Sequence, residues 1–361
     1  MHIFNGFYQK KRVLITGHTG FKGSWLALWL HLLGANVTGF ALPPGTKPNH
    51  FELIGLADLV NHIEGDVRDL KAVKHAFDIA QPEIVFHLAA QPIVRKSYDD
   101  PKTTFDTNIG GTVNVLEATR NCPAVKSVVI VTSDKCYENK EWQWGYREND
   151  PMGGHDPYSA SKGAAEIVAT SYLRSFFDKN GQGPHLGLAT ARAGNVIGGG
   201  DWAKDRIIPD CVRALSANKP IVLRNPQATR PWQHVLDPLA GYLLLAAHLF
   251  DNPVKFSGAW NFGPYTLDQI TVRTMAERFV TVWGCGTIKT PTMKKAYHET
   301  HFLHLNIDKT LFELKWRPVL DSSSAINWTV DWYKLWHRSL KNRSNESVRQ
   351  IRQFIGIAAL H

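Results

Sequence analysis

Apolar residues in the first half of the chain come in short runs separated by amphipathic stretches. Val13 to Thr16 is a β-branched and apolar run bounded by Gly17, and from Ser24 to Leu33 the residues Trp25, Leu26, Leu28, Trp29, Leu32 and Leu33 recur at helical spacing. This pattern predicts a strand that passes through a glycine turn into a helix. Val37 to Ala41 and Leu59 to Glu64 read as the next strands, with a helix from Lys71 to Ala80. Ile84 to Ala90 and Ser127 to Thr132 read as further buried strands, separated by a helical pattern from Thr103 to Arg120. A second long helix is expected from Tyr158 to Asp178, then a sixth strand from Gly187 to Ala193. Strands alternating with helices at this spacing predict parallel β-α-β units and an α/β fold.

Beyond Gly194 the pattern breaks repeatedly, at Gly198 to Gly200 and at Pro209, Pro220, Pro226, Pro231 and Pro238. Helices are expected in this half at Ile207 to Asn218, Pro238 to Phe250, Thr271 to Trp283 and Ser322 to Leu340. The polar run after Leu340 reads as a linker before a last short apolar piece, Ile351 to Leu360.

Composition narrows the class. With 361 residues, 43% of them apolar and 12 of them Trp, the chain is long enough for one large or two moderate cores and is not a disordered polypeptide. A net charge of +9 suits a solvated surface or anionic small ligands. No basic run interleaved with aromatics marks a nucleic-acid surface. The four cysteines, Cys122, Cys136, Cys211 and Cys285, lie far apart without metal-ligand spacing, so no metal site is expected and reduced thiols are. No apolar run is long enough to span a bilayer, and residues 1–12 lack a signal core, so the expected location is cytoplasmic.

Two stretches carry the chemistry. Gly17-His-Thr-Gly20-Phe-Lys-Gly23 sets glycines three apart at the strand-to-helix junction. There Gly17 permits the tight turn, Gly20 lets backbone N–H groups approach a pyrophosphate, and Gly23 lets the helix pack against the strand. Dinucleotide binding is the expectation from that context, and Lys22 reads equally as an added phosphate contact or as a solvated lysine. The second stretch runs from Val131 to Lys162. It holds a hydroxyl, a carboxylate and an amine in a row, Ser133-Asp134-Lys135, and later a Tyr and Lys four apart, Tyr158 and Lys162. Helical spacing brings the Lys162 ammonium near the Tyr158 phenol, and a neighbouring cation is expected to lower the phenol's pKa, so that it takes a proton from an alcohol. Asp134 and Lys135 are expected to titrate as a coupled pair, Asp134 protonated as an acid and Lys135 neutral as a base.

The glycine spacing, with Gly65-Asp66-Val67-Arg68-Asp69, His87-Leu88-Ala89-Ala90 and Tyr158-x-x-x-Lys162 in that order, resembles the extended short-chain dehydrogenase/reductase superfamily. The resemblance implies a modified Rossmann domain, a doubly wound parallel sheet, with a smaller C-terminal domain for substrate. It divides the chain into residues 1–195, with a returning segment near 232–262, for the cofactor, and 196–231 with 263–345 for a sugar nucleotide, leaving 346–361 as a tail. It implies NAD held by Gly17, Thr19, Gly20, Phe21, Lys22, Gly23, Asp66, Val67, Leu88, Ala89, Ala90, Tyr158 and Lys162. The acid that commonly ends the second strand and binds ribose is missing from Val37 to Leu42, and no arginine stands in for it, so these residues leave NADP open.

Ser133-Asp134-Lys135 is similar to the hydroxyl, acid and base of the superfamily's nucleotide-sugar 4,6-dehydratases, with Lys where those acting on dTDP-glucose have Glu. Together with Gln91 to Tyr98 and Gly17 to Lys22, that lysine resembles the branch acting on CDP-glucose. The resemblance implies Ser133, Asp134, Lys135, Tyr158 and Lys162 as catalytic residues and Gln91, Arg95, Asn195, Arg206 and Arg230 as substrate ligands. It also implies deoxysugar synthesis for surface polysaccharide, and a homodimer or dimer of dimers built on the helices after Thr103 and Tyr158. An epimerase of the same superfamily needs no acid and base pair. A non-catalytic dinucleotide sensor, the reading from another class, needs none of Ser133, Tyr158 and Lys162.

Overall fold

The computed structural model describes residues 4–178, 185–268, 270–291, 302–338 and 343–359. Seven parallel strands form its centre: β1 (Arg12–Thr16), β2 (Asn36–Ala41), β3 (Asn61–Glu64), β4 (Ile84–His87), β5 (Ser127–Val131), β6 (Gly187–Ala193) and β7 (Gly258–Phe262). Their order is β7-β6-β5-β4-β1-β2-β3, so the direction of winding reverses between β1 and β4. In open parallel sheets a ligand crevice opens at such a switch, beyond the carboxyl ends of the strands.

Strand alternation explains the two apolar layers. Val13 and Ile15 of β1, with Ile84, Phe86 and Val129, face one layer; Leu14, Val85, Val128 and Ile130 face the other. The first layer is covered by α1 (Phe21–Leu32), which follows β1 through the glycine turn. The second is covered by α2 (Leu70–Ala80), α3 (Gly111–Arg120) and α4 (Pro157–Tyr172). Helix α5 (Leu236–Asp251) returns to the first layer, where Leu239, Tyr242, Leu243 and Leu245 are fully buried. Besides β7, the described residues of the irregular second half form two-stranded pairs outside the main sheet, such as Thr229–Arg230 antiparallel to Ile270–Thr271.

Three expectations need correction. Ile84 to Ala90 is not all strand: β4 ends at His87, because the Ala89 N–H is taken by the Thr16 hydroxyl (3.2 Å) and the Gly17 turn passes against Leu88 and Ala89. The helix expected from Thr103 to Arg120 is interrupted by a π turn, Asp106–Gly110, which turns the Asn108 side chain inward to Gln91 and Ser161. Of the polar run after Leu340, positions 341 and 342 lie outside the described residues, and from Arg343 it is not a linker but the start of a helix, α6, which spans Arg343–Ala358. Ser347, Ile351, Phe354 and Ile355 recur at helical spacing and are buried, Phe354 edge-to-face on Trp29 of α1 at 5.6 Å. The Ser347 hydroxyl meets His50 at 2.9 Å and accepts from the Trp332 indole. Phe354→Ala is therefore expected to cost about 3–5 kcal/mol, seen as a lower denaturant midpoint with unchanged slope; an unchanged midpoint would detach the helix from the core.

Candidate active site

The crevice is built on the turn after β1. Gly17 holds φ +79°, and a β-carbon there would lie 2.7 Å from Ala89 N. A β-carbon at Gly23 would lie 2.1 Å from the Gly17 carbonyl oxygen. Gly20 heads α1, whose first turn carries no acidic residue, leaving its positive end to an anion. The Thr19 hydroxyl donates to the Leu42 carbonyl (2.8 Å), bracing the turn against the end of β2. Val67 is buried, and the Asn114 amide donates to its carbonyl at 2.8 Å, which holds the Asp66–Val67 loop beside the crevice. The Asp66 carboxylate is engaged by the Arg68 guanidinium (2.8 Å), which lowers its pKa. A cradle that side chains would fill, at a helix N-terminus and a topological switch, fits a dinucleotide. Gly23→Ala is expected to overpack the turn by about 1–3 kcal/mol, which as lost binding is roughly tenfold to a hundredfold weaker NAD by titration calorimetry. Unaltered affinity would remove the turn from cofactor binding.

Sequence reasoning missed a histidine pair here. His18 is buried in the turn, and its Nε2 meets His62 Nδ1 at 2.8 Å; burial first, then His62, pull His18 down to about 3. The available signal was Gly39 inside β2, where a β-carbon would lie 2.2 Å from the His18 ring. β2 itself ends at Ala41 before exposed Leu42, so no acid or arginine stands at the position expected for one.

Beyond β5 the chain makes a short turn, Asp134–Cys136. The Ser133 hydroxyl donates to Asp134 Oδ1 (2.8 Å) and accepts from the Lys135 backbone N–H (3.2 Å), so the hydroxyl and the acid are fixed to one another and the backbone of Lys135 is tied to both. Tyr158 enters near the N-terminus of α4, after the capping Asp156, with its phenol close enough to Ser133 for that hydroxyl to bear on its ionisation. Contrary to expectation, its pKa is not lowered. Burial drives it up to about 12, with the Ser133 hydroxyl opposing. The Lys162 ammonium donates to the Val131 carbonyl (3.2 Å), so its charge is not aimed at the phenol; burial pulls Lys162 down to about 8. Asp134 is only 4% exposed, and burial raises its pKa against the charge of Lys135. Its Oδ2 has no hydrogen-bond partner and lies near Gly194, where a β-carbon would come within 3.2 Å of it. A buried carboxyl whose pKa is raised and whose second oxygen is unspent, beside an amine, is the arrangement a general acid needs.

Several charged residues converge on this turn. Burial, then Lys162 and Arg206, lower Lys22 to about 7, and its Nζ donates to the Tyr242 hydroxyl at 3.4 Å, so it is not a solvated lysine. Arg206 is paired with Asp201 (2.9 Å), and its charge bears on Tyr158; that of Arg230 bears on Asp134. Asn195 follows β6, with its carbonyl accepting from Gln233 (3.0 Å). Arg95 stands farther out, ion-paired with Asp205 at 3.1 Å. Gln91, expected to face substrate, does not. Its carboxamide donates to the Ile93 carbonyl and the Thr104 hydroxyl and accepts from the Ile93 N–H, so it is spent on shaping the loop after β4.

The comparisons agree with this geometry. The model of the NAD dependent epimerase/dehydratase family matches residues 13–262. CDP-glucose 4,6-dehydratase of Salmonella typhimurium is 49% identical over 337 residues, 93% of this chain and 94% of that protein. Among solved structures, dTDP-glucose 4,6-dehydratase from Bacillus anthracis in complex with NAD superposes with a TM-score of 0.74 at 21% identity, covering 91% of this chain and 98% of that one. UDP-glucose 4-epimerase of Thermus thermophilus in complex with NAD gives 0.75 at 24%, covering 90% and 99%. The glycine cradle, the Ser133, Tyr158 and Lys162 cluster and a family match running from β1 to β7 lead to one assignment: the chain belongs to the NAD dependent epimerase/dehydratase family.

Proposed function

We propose that this chain catalyses the 4,6-dehydration of CDP-glucose to CDP-4-keto-6-deoxyglucose. The observation that carries the reading is the buried Asp134 carboxyl with an unpartnered oxygen, in the same turn as Lys135 and next to the pair of Ser133 and Tyr158. Epimerisation needs only the second of these features. The 49% identity to the Salmonella CDP-glucose 4,6-dehydratase supports the choice of nucleotide, for which no side chain here speaks directly.

Bound NAD supplies the acceptor for hydride from C4 and its return to C6. The protein's part is proton movement. Tyr158, with Ser133 beside it, takes the proton of the C4 hydroxyl. A C4 ketone acidifies the C5 proton, which Lys135 removes, and Asp134 delivers its proton to the departing C6 hydroxyl so that water leaves. A proton then returns to C5, and the product keeps the atoms of the substrate less one water. Arg206 and Arg230 suit the diphosphate, since a planar guanidinium donates two parallel hydrogen bonds to it, and Asn195 joins them.

On this reading residues 1–195 with a return near 232–262 form the cofactor domain, and 196–231 with 263–345 the sugar-nucleotide domain. The pairing of β7 with β6 supports the return. A dimer on α3 and α4 is part of the proposal, favoured by Ile167, an apolar side chain left 62% exposed on α4. No helix among the described residues is long and apolar enough to cross a membrane, and Cys122, Cys136, Cys211 and Cys285 are all unpaired thiols, which suits a reducing, cytoplasmic setting. A 4-keto-6-deoxy sugar nucleotide suits deoxysugar assembly for surface polysaccharide.

Incubation with CDP-glucose, followed by alkali, is expected to develop the enone-type absorbance of a 4-keto-6-deoxy sugar. No such absorbance with the CDP, UDP, dTDP or GDP sugar would sink the dehydratase reading, and a response to another base alone would move the specificity.

A further inference from the structure

Glu166 lies one helical turn beyond Lys162 on α4 and has no part in the steps above, yet it is 3% exposed and fully engaged. The hydroxyl of Thr132, the residue before Ser133, donates to its Oε1. Its Oε2 accepts from the Thr190 hydroxyl at 2.6 Å and from the Arg192 guanidinium at 2.8 Å. Arg192, equally buried, donates from Nη1 to the Tyr137 hydroxyl (2.6 Å) and the Glu148 carbonyl (2.9 Å), and its guanidinium lies 4.8 Å from the centre of the Tyr137 ring. Tyr137 is the residue directly after the Asp134–Cys136 turn, and its hydroxyl donates to Asn261 Oδ1 at 2.8 Å.

One unbroken chain of hydrogen bonds thus runs from the helix carrying Tyr158 and Lys162, past the ends of β5 and β6, to the turn carrying Asp134 and Lys135. A buried ion pair is a weak source of net stability, since desolvation offsets most of its Coulomb attraction, whereas fixing a register is the best-attested use of one. The chain's two ends are the two halves of the reaction. We infer that Glu166, Arg192 and Tyr137 are positioning residues that hold the Asp134–Lys135 turn in register with Tyr158 and Lys162, so that a sugar oxidised at C4 meets its C5 base and C6 acid without moving. The inference rests on the dehydratase reading.

Tyr137→Phe keeps the ring and cuts the chain at the turn. Two readouts separate its effects: stopped-flow nicotinamide absorbance follows C4 oxidation, and uptake of solvent deuterium at C5, by mass spectrometry, follows the Lys135 step. A misplacement of about 1 Å slows a catalysed step by up to roughly a hundredfold, so C5 exchange is expected to fall about tenfold to a hundredfold while C4 oxidation stays within about twofold. Arg192→Lys, which keeps a charge toward Glu166 but loses the fork to Tyr137, is expected to split the two steps in the same way and carries the test if Tyr137→Phe does not fold. Equal slowing of both steps, no slowing of either, or failure of both variants to fold would overturn the inference by reducing the chain to a purely structural one. If the parent protein itself gives neither signal with CDP-glucose, the dehydratase reading has failed and the inference falls with it; parental activity with an unsplit variant sinks the inference alone.

Discussion

Lys135→Ala is expected to leave C4 oxidation intact and to slow the loss of water by roughly 10²–10⁴-fold, the range a positioned general base contributes. The geometry separates the two effects. The Lys135 backbone N–H, which alanine keeps, is the group bonded to Ser133, so the Ser133–Tyr158 contact survives the substitution. Lys162 is held by the Val131 carbonyl at the end of β5 and makes no hydrogen bond to the Lys135 side chain that alanine removes. Asp134 also survives as an acid: the charge of Lys135 is a lowering influence on it, so removing that charge lets burial raise the carboxyl further. In a single turnover the nicotinamide absorbance should rise and persist, and deuterium uptake at C5 should vanish. Full turnover in the variant would take Lys135 out of the mechanism.

Tyr158→Phe is expected to remove the other half, slowing C4 oxidation by about 10²–10⁴-fold while leaving the affinity for substrate near that of the parent chain. The sign of the pH dependence follows from burial. With the phenol pushed up to about 12, the proton-accepting phenolate is scarce at neutral pH, and its fraction grows about tenfold per pH unit below that value. Oxidation in the parent protein should therefore accelerate as pH rises from neutrality, and that dependence should disappear in the phenylalanine variant, which has no phenol to ionise. A pH profile shared by both proteins would assign the base elsewhere.

Much of the fold was legible because a parallel sheet covered on both faces demands unbroken apolar strands, and Val13 to Thr16, Ile84 to His87 and Ser127 to Val131 advertise themselves as such. The ends of elements were not. Leu88 to Ala90 are as apolar as the strand they follow, but they line the mouth of a crevice instead of the sheet, a distinction made by the Gly17 turn some seventy residues away in sequence. The last helix was hidden by its own polar beginning, although Ile351, Phe354 and Ile355 carry helical spacing.

The candidate site divides in the same way. Motif order located the glycine turn and the Ser133 to Lys162 stretch, because their chemistry is local to a few adjacent residues. Gln91 was misjudged because a motif names a residue and not the direction of its amide, and here the neighbouring loop consumes it. The ionisation of Tyr158 was misjudged for a related reason: spacing puts Lys162 one turn away, but the Val131 carbonyl claims its ammonium and burial raises the phenol. Glu166 and Arg192 escaped notice altogether. A carboxylate on the buried face of a helix, one turn past the catalytic lysine, was the only signal available, and its partner lies on a strand that the sequence places far away.

In the proposed reaction, oxidation at C4 and reduction at C6 are joined, within one active site, by loss of water across C5 and C6. CDP-glucose deuterated at C4 tests this directly. The expected result is a 4-keto product carrying that deuterium at C6, a solvent-derived hydrogen at C5 and no net change in cofactor. Deuterium returned to C4, in glucose or its epimer, or lost to a second molecule, would contradict it.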